Sequence, residues 1–506
     1  MENLKIARAN YLMNGAYLLV LLLIVIWYTS VLLQFSFQYT DSDQTLMWMA
    51  LRDYSHGVFH EPRFYGQAYN SMIEALLAVP LYWAGVSPSI ALPIVSSLLS
   101  LVPFIFISSL MAKFHSKVAG LVVLCIPLLL PTEYSLISVL PRGFVTGIAA
   151  ASFCCLPVFY PHKKTAYFVL GLAMVFAYSL NPNSVVFSLP CLAYIALKTK
   201  YSSPLLASFL LGILLGAIPH YLAWQFYESN PHYIVHPLVL HFSFQSLFES
   251  FNNLDKYFND LTPLFWKHGY VLPIGFVLLG LLAAYQKKWA FSIFFLSTIS
   301  LVIITLGFDK VHDARDSVFY SFSRMYLALP ASLALGVSFV SINKQKWLLP
   351  IMLLVFLAQG IKYWRLESTV NSNLSKPDHK VVVVHNVVLK DRCTQLQLLC
   401  EKHHVDLVVV KHHPLYDPIT YGCPILELDF PKTLRPPFER RTWRLKEDEK
   451  IIYPTILFIS EGYNLCEQDS NIKMIDKDEF IYLLQNNQEK TLDLVNRLEI
   501  GTRAYH

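Results

Sequence analysis

Eleven long apolar runs recur along residues 15–364 and constrain this chain more than any other feature. They fall at about 15–37, 89–112, 118–131, 143–160, 166–180, 185–197, 204–222, 271–285, 290–306, 323–342 and 348–364. A helix crossing a hydrocarbon layer of about 30 Å needs roughly 20 apolar residues. The repetition therefore predicts an α-helical polytopic membrane domain. Composition agrees: 55% of the residues are hydrophobic and 15% charged, against about 25% charged in soluble domains. Disorder, a disulfide miniprotein and an ordinary soluble enzyme are excluded. A net charge of +5 over 506 residues is too dilute to imply nucleic acid. The stretch 15–37 is too long for a cleavable signal peptide and lacks a small-residue cleavage site.

Charge divides the chain. Residues 365–506 hold 40 of the 75 Asp, Glu, Lys and Arg residues. We read 1–364 as the membrane domain and 365–506 as a soluble domain. The segment 68–84 decides the topology. If it lies in the interface, Lys5, Arg8, Lys113, Lys117, Lys163, Lys164, Lys198, Lys200, Lys287, Lys288, Lys344 and Lys346 share one side, with Glu2 as the only acid there. The bias of Lys and Arg toward cytoplasmic loops favours that arrangement. It predicts a multi-pass inner-membrane protein with a cytoplasmic N-terminus, about eleven spans and an extracytoplasmic C-terminal domain. Lys362 and Arg365 then fall just outside the last span. No Asp or Glu lies within the runs, which argues against an ion-coupled carrier.

The acids instead gather on the external side. Segment 38–67 reads QYTDSDQTLMWMALRDYSHGVFHEPRFYGQ. Asp41 and Asp43 follow the first run directly, at the level of lipid head groups. A carboxylate there can act as a general base on a hydroxyl, hold a divalent metal, or simply solvate a turn. Residues 45–54 suit a short interfacial helix, which Gly57, Pro62 and Gly66 then break. Tyr65, Gln67 and Asn70 offer groups that orient sugars, and Trp48 and Tyr82 offer stacking faces. The loop 307–322 carries Asp309, His312, Asp313 and Asp316, weakly spaced for a metal. His232, His236 and His241 stand in the loop before it.

These stretches resemble the GT-C superfamily of integral-membrane glycosyltransferases, which use polyprenyl-phosphate sugars and include aminoarabinose transferases and protein O-mannosyltransferases. The likeness rests on DSDQTLMWMALRD at 41–53, GVFHEPRFYGQAYN at 57–70, KFHSKVAG at 113–120, PTEYSLISVLPRG at 131–143 and SRMYLALP at 323–330. The resemblance implies transfer of a sugar from a polyprenyl-phosphate donor to a glycan, lipid or protein acceptor at the external face of the bilayer. It implies Asp43 as catalytic base, with Asp41 as the alternate. Relatives often show Asp-Glu where this chain has Asp43 followed by Gln44, and a Lys or His where Gln67 stands. Arg63, Arg142, Arg315 and Arg324 are candidates to meet the phosphate, Arg63 and Arg324 foremost, since a guanidinium suits bidentate oxyanion contact. Interfacial anchoring is the plainer role for each. Glu133 could bind acceptor or cap a helix. Two readings outside this class remain: a lipid or polysaccharide flippase, and a non-catalytic membrane subunit.

In the C-terminal domain, 380–389 and 405–410 read as buried strands around a helix at 391–403, a β-α-β pattern and hence an α/β domain. Residues 424–430 and 455–460 are further strand candidates, and 478–498 reads as a terminal helix. Of eight cysteines, Cys393, Cys400, Cys423 and Cys466 lie here. Their connectivity is not deducible from sequence, and no CxxC occurs.

Overall fold

Apolar runs free of Asp and Glu leave the backbone little choice but helix, and helix is what most of the first 376 residues form. The computed structural model describes residues 2–198, 202–233, 235–337, 347–376, 382–411, 413–435, 443–444, 451–461, 464–486 and 488–498. Lys200, Lys344, Lys346 and the end of the 323–342 run lie outside them. Four helices are long and apolar enough to cross a membrane: Leu12–Ser36, Pro88–Phe114, Ser203–Ser229 and Leu348–Leu374. A fifth crossing would come from Lys117–Leu129 with Thr132–Ser138, bent by 88°. Ile73–Trp83, Thr146–Phe159, Lys164–Leu180, Val271–Tyr285 and Trp289–Thr305 are shorter apolar helices. Thus four of the expected eleven spans are clear, because several runs are broken rather than continuous. The helix Ile73–Trp83 has 11 residues, or about 16 Å, too short to cross alone.

The described chain forms two compact units: residues 1–36, 93–221 and 239–377, and residues 37–92, 222–238 and 378–506. In the first, the 88° bend has a local cause. Leu130 precedes Pro131 and is extended (ψ 157°), as steric conflict with the proline ring requires. The carbonyls freed at the helix end are not orphaned. Gln359 Nε2 donates to Leu128 O at 2.8 Å and Lys362 Nζ to Pro127 O at 3.4 Å. Lys362 is therefore not outside the last span: it is fully buried within the helix Leu348–Leu374, with Nζ 4.1 Å from the Trp27 ring centroid. That one helix also runs unbroken through residues 364 and 365. Elsewhere in this unit Lys164–Leu180 and Ser203–Ser229 meet backbone to backbone. A Cβ at Gly171, Gly212 or Gly216 would strike carbonyl oxygens of the facing helix, the small-residue contact that membrane helices use.

The second unit joins the loop after the first apolar helix to the C-terminal segment. Strand β1 (Tyr39–Asp41) pairs antiparallel with β2 (Val383–His385), matching Tyr39 to His385 and Asp41 to Val383. Asn386 adds bonds to Gln38 O (2.7 Å) and Phe37 O (2.9 Å). The expected strand 380–389 is thus short. His385 caps a helix that starts at Asn386 and ends at His403, its ring accepting from Val387 N. Strands β3 (Leu407–Lys411), β4 (Lys432–Leu434), β5 (Thr455–Ser460), β6 (Ile472–Asp476) and β7 (Ile481–Gln485) form one sheet in the order β4-β3-β5-β7-β6. The β3 pairings are parallel; those of β7 are antiparallel. Val409, Phe458, Tyr482, Leu484 and Leu494 lie in its core.

Two expectations fail here. Residues 424–430 are not a strand: Cys423–Leu426 is helical, with Pro424 lacking the amide a ladder needs, and the strand comes at β4. The terminal helix is only Thr491–Arg497, because Ile481, Tyr482 and Leu484 are buried in the sheet. Cys393 and Cys423 are disulfide-bonded, while Cys400 and Cys466 are free.

Candidate active site

In the second unit the pairing of β1 delivers the acidic motif directly into the helix Ser42–Ser55. Asp41 is its N-cap, fully buried. Its Oδ1 accepts from the amides of Asp43 (2.8 Å) and Gln44 (3.1 Å), and Oδ2 accepts from Gln44 Nε2 (2.8 Å). These bonds satisfy helix-end donors that would otherwise be orphaned. Gln44 is thereby a partner of the cap. Asp43 sits in the first turn, half-buried, and among the described residues nothing bonds its carboxylate. Trp48 is buried in the unit, so it is no stacking platform.

The loop that follows is closed on a buried carboxylate that the sequence did not single out. Glu61, 3% exposed, accepts from Gly66 N (2.8 Å), Tyr227 Oη (3.1 Å) and Trp443 Nε1 (3.3 Å). Gly66 takes φ +78° and Asn70 φ +63°, so the turn needs a glycine at the first and suits an Asn at the second. Arg63 donates to Ala68 O at 2.6 Å. Tyr65 is fully buried beneath Trp443, ring centroids 5.7 Å apart, and burial pushes its hydroxyl pKa up. Gln67 bridges to His236 through the backbone.

The first unit holds a cavity of about 540 Å³ lined by Glu133, Asp255, Asp260, Arg315, Asp316 and Lys376, with Asn259, Ser321 and Asn373 among its neutral donors and acceptors. Asp260 Oδ2 accepts from Ser321 Oγ at 2.7 Å. Burial, then the charge of Glu133, raises its carboxyl to about 6. Glu133 lines this cavity from the first turn of the helix Thr132–Ser138. Arg142 and Arg324 are both buried and brace the loop that carries Arg315. Arg142 donates to Phe319 O. Arg324 donates to Tyr320 O (2.8 Å), Ser321 O (2.9 Å) and Asp313 O (2.9 Å), its guanidinium 3.9 Å from the Tyr320 ring centroid.

Among the described residues no three His, Cys, Asp or Glu side chains are placed to hold a metal ion. Asp309 pairs with His241 at 3.1 Å, while His312 bonds Leu306 O at 2.8 Å and Tyr257 Oη at 3.1 Å. Asp309, His241 and His312 are thus committed to different partners.

No family model matches the sequence, and no curated protein does. Solved structures do. The chain is similar to ArnT from Cupriavidus metallidurans in the apo state, with a TM-score of 0.59, and to the same protein bound to undecaprenyl phosphate, with a TM-score of 0.56. Identity is 10% in each comparison, over 93% of this chain and 97% of that one. The chain has the ArnT fold. At fold level this bears out the resemblance carried by the short motifs, which no whole-sequence comparison registers.

Proposed function

We propose that the protein is a glycosyltransferase that moves a sugar from a polyprenyl-phosphate donor to an acceptor at the external membrane face. The observation that carries the reading is the division of labour at the motif that opens the first loop. Asp41 is consumed as a helix cap, and Asp43 presents an uncommitted carboxylate. The ArnT fold supports it, since one of those structures holds undecaprenyl phosphate.

In this reaction an acceptor O–H attacks the anomeric carbon. Asp43 takes the proton, the new C–O bond forms, and the sugar–phosphate bond breaks to release polyprenyl phosphate. Displacement from the face opposite the phosphate inverts the anomeric centre. Arg63, on the same loop, is assigned to the phosphate, whose growing charge needs a cationic donor. The cavity of the first unit is assigned to a polyhydroxylated substrate, because its carboxylates, amides and hydroxyls match sugar hydroxyls as both donors and acceptors. Lys256, Arg315 and Lys376 are its cations, with Arg142 and Arg324 holding its wall.

The test is transfer from radiolabelled polyprenyl-phosphate sugars to membrane extract by the purified protein. Asp43→Asn should lower the rate by about 10²–10⁴-fold, the usual worth of a general base, with an unchanged melting profile. Full activity in that variant removes the catalytic assignment and favours a flippase or a non-catalytic subunit.

A further inference from the structure

The second unit contains a separate cleft of about 360 Å³, walled by the helix Ser42–Ser55 on one side and by β4 and Trp443 on another. Its polar lining is Arg52, Asp53, His60, Lys432 and Arg444. Among the described residues of the lining, cations therefore outnumber carboxylates, and they are not equally placed. Arg52 Nη1 donates to Pro424 O at 2.9 Å, and its Nε lies 3.9 Å from Asp53. Asp53 is also 3.5 Å from His60 Nε2. Asp53 is thus shared between two neighbours.

Arg444 is different. It is 6% exposed, and all its described partners are neutral. Nη2 donates to the carbonyl and, at 3.0 Å, to the hydroxyl of Thr433; Nη1 reaches Met49 Sδ at 3.6 Å; and its guanidinium carbon lies 5.1 Å from the Tyr421 ring centroid. A guanidinium out of water without a counter-ion is costly. An anion seated in the cleft would supply that counter-ion, with Lys432 beside it. Apart from Thr433, the rest of the wall is apolar or aromatic. Pro424, Phe430 and Pro431 line it, and His60 lies parallel on Trp443 at 3.6 Å between ring centroids. Such a surface suits the C–H face of a pyranose ring better than a bare inorganic ion.

We propose that this cleft binds a saccharide bearing an oxyanion, its phosphate or carboxylate held by Arg444 and Lys432 and its ring against the apolar wall. Phosphate is the probe chemistry. The site is argued without Asp43 and does not depend on the transfer reaction.

The experiment titrates the full-length purified protein with glucose 6-phosphate, inorganic phosphate and glucose, following intrinsic tryptophan fluorescence and calorimetry. Glucose 6-phosphate should bind more tightly than phosphate, and glucose should give no saturable signal. Lys432→Ala and Arg444→Gln should each weaken glucose 6-phosphate binding at least about tenfold, the loss expected for a charge-assisted bond. Arg444→Gln keeps an amide donor for Thr433, and unchanged melting of Lys432→Ala guards against misfolding. Asp43→Asn should bind normally while failing to transfer, which separates this site from the catalytic reading. Absence of saturable binding, or equal affinity in wild type and both variants, overturns the proposal. Equal affinities for phosphate and glucose 6-phosphate overturn its saccharide part.

Discussion

Asp41 and Asp43 are two residues apart, chemically identical, and differently employed. The difference is legible only once the helix start is fixed. A carboxylate at the N-cap is drawn inward by amide donors, whereas one two positions later projects from the first turn. Sequence could name the pair and rank Asp43 first, but not say what Asp41 does. Nothing flanking Asp260 in the sequence marks it: its environment is made by Ser321 and Glu133, both distant in the chain. It carries a pH prediction. Its folded-state pKa of about 6 lies above the ordinary 3.8, so between those values the folded protein holds a proton that the unfolded chain has released. That proton stabilises the fold fully below the lower value, and its contribution is lost as pH rises through about 6. The thermal midpoint should therefore decline over this interval, and Asp260→Asn should remove that part of the decline. An identical slope in both proteins, measured by thermal unfolding in detergent, would show the carboxyl to be unperturbed.

At the scale of elements, apolar periodicity located most helices but not their interruptions. The run 143–160 becomes Thr146–Ala151, a 3₁₀ turn at Ser152–Cys155 and Leu156–Phe159. The break at Pro131 could be anticipated from proline chemistry, whereas the donors that satisfy it, Gln359 and Lys362, come from more than 200 residues later. Strand pairing was less legible still. β1 finds β2 across the length of the membrane domain, and no local pattern encodes that partner. Strand β7 falls inside the expected helix 478–498, whose polar stretches carry good helix formers, and burial in the sheet overrides them. The contact of Lys164–Leu180 with Ser203–Ser229 gives a prediction of opposite signs. In Gly212→Ala the added methyl meets the carbonyl of Phe168, and overpacking of this kind costs about 1–3 kcal/mol. In Gly275→Ala the methyl meets nothing within 4 Å, and the better helix propensity should leave stability unchanged or raised, by up to about 1 kcal/mol. Thermal unfolding of the two variants side by side should order them below and at or above the wild type. Equal midpoints would mean that the two helices do not pack through their backbones.

For the whole molecule the governing quantity is which side of the bilayer each charged loop occupies, and here sequence speaks more directly than coordinates. Helix lengths say which segments can cross; the Lys and Arg bias says in which direction. The short helix Ile73–Trp83 fits an arrangement in which the early apolar segment lies in the interface, and the Cys393–Cys423 bridge suits an oxidising compartment for the C-terminal segment. Both lead to one test. In a chain whose Cys466 is replaced by serine, Leu428→Cys places a thiol at a position 90% exposed, and Gln286→Cys places one on the exposed turn beside Lys287 and Lys288. A membrane-impermeant maleimide added to intact spheroplasts should modify the first and spare the second until the membrane is permeabilised. The reverse pattern would put the C-terminal segment inside, and with it Asp41, which is tied to that segment by the β1–β2 ladder, and the neighbouring Asp43. A sugar donor presented at the outer face would then be out of that carboxylate's reach.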